Sequence, residues 1–222
     1  MESQNDHQTV DAAIRRRATI KVLSPTELAV NDIRSTVTEL LEVAGWAPFH
    51  RPCDASHQQS SQLDGMVPWR MYALDANGCR QLRELLPEEN AGKLPSMLAS
   101  ADAMVQATWL PNPPSDEFEL SKTHLFEPTL ANMEHLAAAS AAIQNLLVAA
   151  TARGIRNYWS SGGALLRGEQ VFQQMGIPAG ELLLGSLFLF PQETANAQVV
   201  GSKLRAQRPA PGQWAQWVEL KS

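Results

Sequence analysis

Apolar positions follow three rhythms along this chain, and each predicts a different kind of element. The longest run extends from Leu136 to Ala152, where thirteen of seventeen residues are apolar and the polar ones are Ser140, Gln144, Asn145 and Thr151. Its Ala and Leu are strong helix formers, and no Gly or Pro interrupts them. A helix apolar nearly all round is buried on nearly all sides, in a core or against a partner chain. With Glu134 and His135 before it and Arg153 after it, the stretch is too short for a good membrane span. It predicts a central core helix, opened near Pro128 and stopped at Gly154.

Helical spacing recurs more weakly elsewhere. Val10 to Arg17 predicts a first helix, after a frayed tail over residues 1–9. Pro25 to Gly45 predicts a second, with Ile33, Val37, Leu40, Leu41 and Ala44 on one face. Shorter helices are expected over Cys79 to Leu86, around Met97 to Ser100, and over Glu169 to Met175. The third rhythm is that of strands: Pro68 to Leu74, closed by a turn over Asp75 to Gly78, and Ala103 to Leu110, halted by Pro111, Pro113 and Pro114. Glu181 to Phe190 is the most apolar strand, as expected of one covered on both faces, and Pro191 ends it. Between these lie a polar extended loop over residues 49–66, expected to be mobile from Cys53 to Gly65, an acidic irregular stretch from Ser115 to Glu127, and a C-terminal arm over 201–222 carrying Trp214 and Trp217. Helices and strands interleave without regular βαβ spacing, which predicts an α+β fold, an α/β sandwich with helices packed about a central sheet.

Length and composition narrow the class. At 222 residues and 44% hydrophobic, the chain suffices for one domain over 1–222. A net charge of −5 offers no field attractive to nucleic acid. The polar start MESQNDHQTV does not read as a signal peptide. Cys53 and Cys79 have neither disulfide-framework nor zinc spacing, so no metal site is expected. A cytoplasmic protein, with neither a membrane nor a nucleic acid as partner, is the expectation.

Two stretches carry candidate chemistry. Arg15, Arg16 and Arg17 gather at the end of the first helix, just before Thr19 and Lys21. They are either a solvated helix end or an anion site. Ser160-Ser161-Gly162-Gly163 follows Tyr158-Trp159, and its small residues let backbone N–H groups approach a ligand.

The run AIQNLLVAATARGI, followed by YWSSGG and then MGIPAGELLLGSLFLFP, resembles the FMN-dependent nitroreductase family, closest to its short bacterial members. Arg17-Ala18-Thr19-Ile20-Lys21 matches that family's R-x-S-x-R/K opening, with Thr19 in place of serine. Ala44-Gly45-Trp46-Ala47-Pro48 and Pro68-Trp69-Arg70 match both ends of its A-P to Q-P-W segment. Between them the loop is longer than the pattern, and Val67 stands where the family has glutamine.

The resemblance implies a mostly antiparallel sheet and a homodimer with FMN bound at the subunit interface. It implies NADH or NADPH as electron donor and a nitroaromatic, quinone or related small molecule as acceptor. By position it assigns Arg16, Arg17, Thr19 and Lys21 to the phosphate and the pyrimidine edge of the flavin. It places Pro68, Trp69 and the Ser160, Ser161, Gly162 and Gly163 loop beside the ring. Arg208, ahead of Pro209, is the choice for a C-terminal phosphate contact, with Lys203 and Arg205 as alternatives. His50 and Arg51 are either flavin contacts or ordinary loop residues, and His50 is a speculative proton donor. No catalytic acid–base pair stands out. The missing glutamine and the enlarged loop leave open a redox-altered flavin-binding or interaction protein.

Overall fold

The computed structural model describes residues 3–59, 63–87, 91–194 and 196–220. In chain order these form α1 (Ser3–Arg16), β1 (Ile20–Leu23), α2 (Arg34–Gly45), α3 (Ser56–Gln59), β2 (Trp69–Asp75), α4 (Ala76–Glu84), α5 (Leu94–Ser100) and β3 (Ala103–Trp109). There follow α6 (Leu130–Ala152), β4 (Arg156–Ser160), α7 (Gly163–Leu166), α8 (Glu169–Met175), β5 (Leu182–Phe190) and β6 (Gln198–Gly201).

Four strands make the central sheet, in the order β2-β3-β5-β4, with every neighbouring pair antiparallel. One face carries α2 and α6. Leu40, Ile143, Leu146 and Leu147 from these helices close on Val105, Ala107, Leu187 and Leu189 from the sheet. On the other face, Cys79, Leu98 and Val171 pack with Met104, Phe188 and Phe190. Side chains of this size stabilise the fold by about 1.5–3 kcal/mol each when fully buried. The continuous apolar pattern of β5 is thus explained: its residues alternate between two cores.

The second sheet is a ribbon of two strands, β1 and β6, paired antiparallel from Ile20↔Gly201 to Leu23↔Gln198. An isolated parallel bridge between Thr19 and Asn157 joins it to the edge of the main sheet at β4. Opposite ends of the chain are thereby brought together beside one strand edge.

α6 is the expected central helix, capped by Thr129, whose side chain accepts from the Asn132 N–H at 3.2 Å. By length and composition it could cross a membrane, yet Ala138, Ala142, Ile143, Leu146, Leu147 and Ala150 are buried in the core. Burial is not complete on all sides, because Leu130 and Met133 remain more than half exposed.

Four sequence expectations need correction. The first helix starts at Ser3, so only Met1 and Glu2 of the expected tail fall outside the described residues. The second helix starts at Arg34, not near Pro25. Its expected first half is instead bonded to neighbours: the Leu28 N–H donates to the Ala99 carbonyl, and Asn31 donates to Asp102. The turn after β2 is the first turn of α4, with the Asp75 carboxylate accepting from the Gly78 N–H at 2.8 Å. The described part of the 49–66 loop is tied down. Arg70, 3% exposed, donates to the carbonyls of His57, Leu63, Gly65, Val67 and Trp69.

Candidate active site

The C-terminal end of α1 is where the sequence delivers its arginines, and the β1–β6 ribbon carries the end of the chain to the same place. The Ser202 N–H donates to the Thr19 carbonyl at 3.1 Å, and a 3-10 turn follows over Lys203–Gln207. Arg17, Ala18, Thr19, Ser202, Leu204, Arg205 and Arg208 then line a pocket of about 260 Å³.

Two cations meet there, and no acid is among the described lining residues. Burial, and then repulsion from Arg208, lowers the Arg17 pKa below its ordinary value. Arg17 Nε is buried and has no hydrogen-bond partner among the described residues. Buried polar groups are almost always satisfied, and a charged donor left without a partner is costly. A bound dianion would satisfy Nε and relieve the repulsion.

From this pocket the site continues along β4. Asn157 pairs with Thr19, and the next residue, Tyr158, has Lys21 Nζ 4.5 Å from its ring centroid. β4 ends at Ser160, whose Oγ accepts from the Gly162 N–H at 3.2 Å. Gly162 has φ +88°, and a Cβ there would stand 2.6 Å from Leu183 Cδ2. Only glycine fits both constraints. Gly163 (φ +58°) opens α7, where a first-turn N–H has no acceptor within the helix. Arg167 fixes this loop, donating to the carbonyls of Ser161 at 2.8 Å and Leu183 at 2.7 Å. Nearby, Gly185 leaves room for Trp159 to cross β5, since a Cβ would lie 2.0 Å from its Nε1.

Of the residues singled out by sequence, Arg17, Thr19 and Arg208 therefore converge on one pocket, Lys21 lies over Tyr158 of the adjoining strand β4, and Ser160, Ser161, Gly162 and Gly163 follow at the end of that strand. Arg16 has an exposed side chain and offers its carbonyl to Arg205. Pro68 and Trp69 are buried, and Trp69 packs in the α2–α6 core edge-on to Phe49 with centroids 5.9 Å apart. His50 is exposed, and Arg51 pairs with Glu134 at 3.0 Å. Glu134 is in the first turns of α6, whereas Asn157 bonds the Leu147 carbonyl in its last turns. The thirteen-residue step from Glu134 to Leu147 spans about 20 Å of helix, so one chain does not bring His50 and Arg51 to Arg17. Sequence reasoning passed over Ser202, Asn157 and Arg167. Their roles depend on backbone partners distant in sequence, and no local pattern marks them.

A family model described as the nitroreductase family matches residues 14–189. No curated protein matches in sequence. Among solved structures, the chain is similar to a nitroreductase-like family protein from Bacillus cereus (19% identity, TM-score 0.60, covering 95% of this chain and 96% of that one). It is similar also to nitroreductase CinD from Lactococcus lactis, solved with nicotinic acid (15%, 0.62, 94% and 99%). A third is a nitroreductase with bound FMN from Desulfitobacterium hafniense (15%, 0.55, 95% and 98%). At these identities the likeness speaks to the fold.

Proposed function

Because this chain belongs to the nitroreductase family, we propose that it is an FMN-dependent NAD(P)H oxidoreductase reducing nitroaromatic, quinone or related acceptors. The observation that carries this reading is the Arg17–Arg208 pocket, with its unpartnered buried Nε, at the end of a strand leading to the Gly162–Gly163 loop. The FMN-bound relative from Desulfitobacterium and the nicotinic acid held by CinD support it.

When bound, FMN would supply the redox chemistry between a nicotinamide donor and the acceptor. The chain's own part is to hold and orient. Arg17 and Arg208 hold the phosphate, and Thr19 adds a hydroxyl to the pocket wall. Lys21 supplies positive charge along the strand. The backbone N–H groups of Ser161 and Gly163 would meet the ring, while Ser160 and Arg167 keep their loop in shape.

The active unit in this proposal is a cytoplasmic homodimer. The exposed apolar side chains of α6 (Leu130, Met133), of Trp46 just past α2, and of Trp214 and Trp217 in the arm support a second protomer as their cover. His50 and Arg51, with Arg51 bonded to Glu134 rather than near Arg17, would meet a flavin held by that second protomer.

The test is the visible absorbance of the purified protein, followed by anaerobic addition of NADH or NADPH. Flavin bands that bleach are expected. No bands even after FMN is added would overturn the reading. Bands that never bleach, with any donor, would favour the redox-altered alternative that Val67 and the enlarged loop suggest.

A further inference from the structure

Anion sites are commonly built on helix N-termini, where N–H groups and the positive end of the dipole face the ligand. The pocket of Arg17 and Arg208 has the opposite arrangement, since its wall begins one residue past the C-terminal end of α1. The last carbonyls of that helix present negative charge, which opposes a phosphate. Arg205 covers them: its Nη1 donates to the carbonyls of Arg17 at 2.5 Å and Arg16 at 3.3 Å, and its Nη2 to that of Arg15 at 2.6 Å.

We propose that Arg205 is a positioning residue of the phosphate pocket, masking the α1 carbonyls and setting Arg17 and Arg208 across from each other without itself holding the phosphate. Its two Nη groups already bond three carbonyls, a span that a lysine could not cover. The turn that carries Arg205 is exposed along its length, so these bonds and the Ser202–Thr19 bond are what hold it to α1. Arg208 is three residues beyond, and its place over the pocket follows from that anchorage. For its ligand this inference rests on the flavin reading above.

The test uses the full chain and two flavins that differ in the phosphate. In Arg205→Ala, FMN affinity is expected to fall roughly tenfold while riboflavin affinity stays unchanged. Arg205→Lys, which keeps the charge but loses the fork, should fall between Ala and wild type for FMN alone, and it decides the matter if the alanine variant does not fold. Equal losses for both flavins would reveal a merely structural residue, and an unchanged FMN affinity would also overturn the proposal. If wild type binds neither flavin, the functional reading fails separately, and inorganic phosphate becomes the probe. Thermal stabilisation by phosphate in wild type that is lost in Arg205→Ala would support positioning; stabilisation equal in both, or absent from both, would overturn it.

Discussion

Arg70 and Arg17 are both withdrawn from solvent, yet the structure treats them in opposite ways. Arg70 is almost fully buried and gives its nitrogens to five carbonyls, so its desolvation is offset within the chain. Arg17 is half-buried, faces another cation, and keeps a buried donor unpartnered among the described residues. The first pattern makes architecture, because every bond the side chain can form is already made. The second leaves free energy to be gained from something outside the chain.

Substitutions should separate the two. Arg70→Ala is expected to cost about 3 kcal/mol of stability, lowering Tm by roughly 6–12 °C, with the FMN-to-riboflavin preference kept. Thermal unfolding and flavin titration of the same sample check both halves. The comparison breaks if Arg70→Ala is as stable as wild type. Arg17→Ala, or Arg208→Ala, should do the reverse: FMN binding weakens by about 1.5–3 kcal/mol, with stability unchanged or raised as the mutual repulsion goes. Calorimetric titration reads the first effect and urea denaturation the second.

Two smaller effects extend the contrast. Gly162→Ala forces a side chain into left-handed backbone against Leu183, and should cost about 1–2 kcal/mol in a denaturant midpoint. Glu181 is a buried acid of the satisfied kind, accepting from Tyr72 at 2.8 Å and Thr108 at 2.5 Å. Burial nevertheless raises its pKa above the ordinary glutamate value, outweighing those bonds and the charge of Arg70. The folded state therefore binds this proton more tightly than the unfolded one. Its contribution to stability is complete below the ordinary value and declines as pH rises through the raised one. Glu181→Gln should flatten that slope when urea midpoints are followed against pH.

What the sequence revealed depended on how local each cause was. α6 was legible because its Ala and Leu state a buried helix without reference to anything else. Arg17, Thr19 and the Gly162–Gly163 loop were legible through their likeness to a family pattern. The β1–β6 ribbon was not, since β1 is four residues long and its partner begins at Gln198. Arg205 was left as an alternative to Arg208 because its acceptors lie about 190 residues away in the chain. The unwound segment before α2 and the tethered 49–66 loop escaped for a similar reason. Each is shaped by partners on another element, such as Asp102 and Arg70, and a local pattern carries no trace of them.

The ribbon also imposes an order of events. A ribosome makes α1 and β1 early and β6, Arg205 and Arg208 among the last residues of this sequence. Both layers of the core can be synthesised before Gln198 emerges, but Arg17 has no opposite number until then. The pocket comes into being only as the strand ribbon closes, so a partly made chain carries the sheet without the wall that Ser202, Leu204, Arg205 and Arg208 complete.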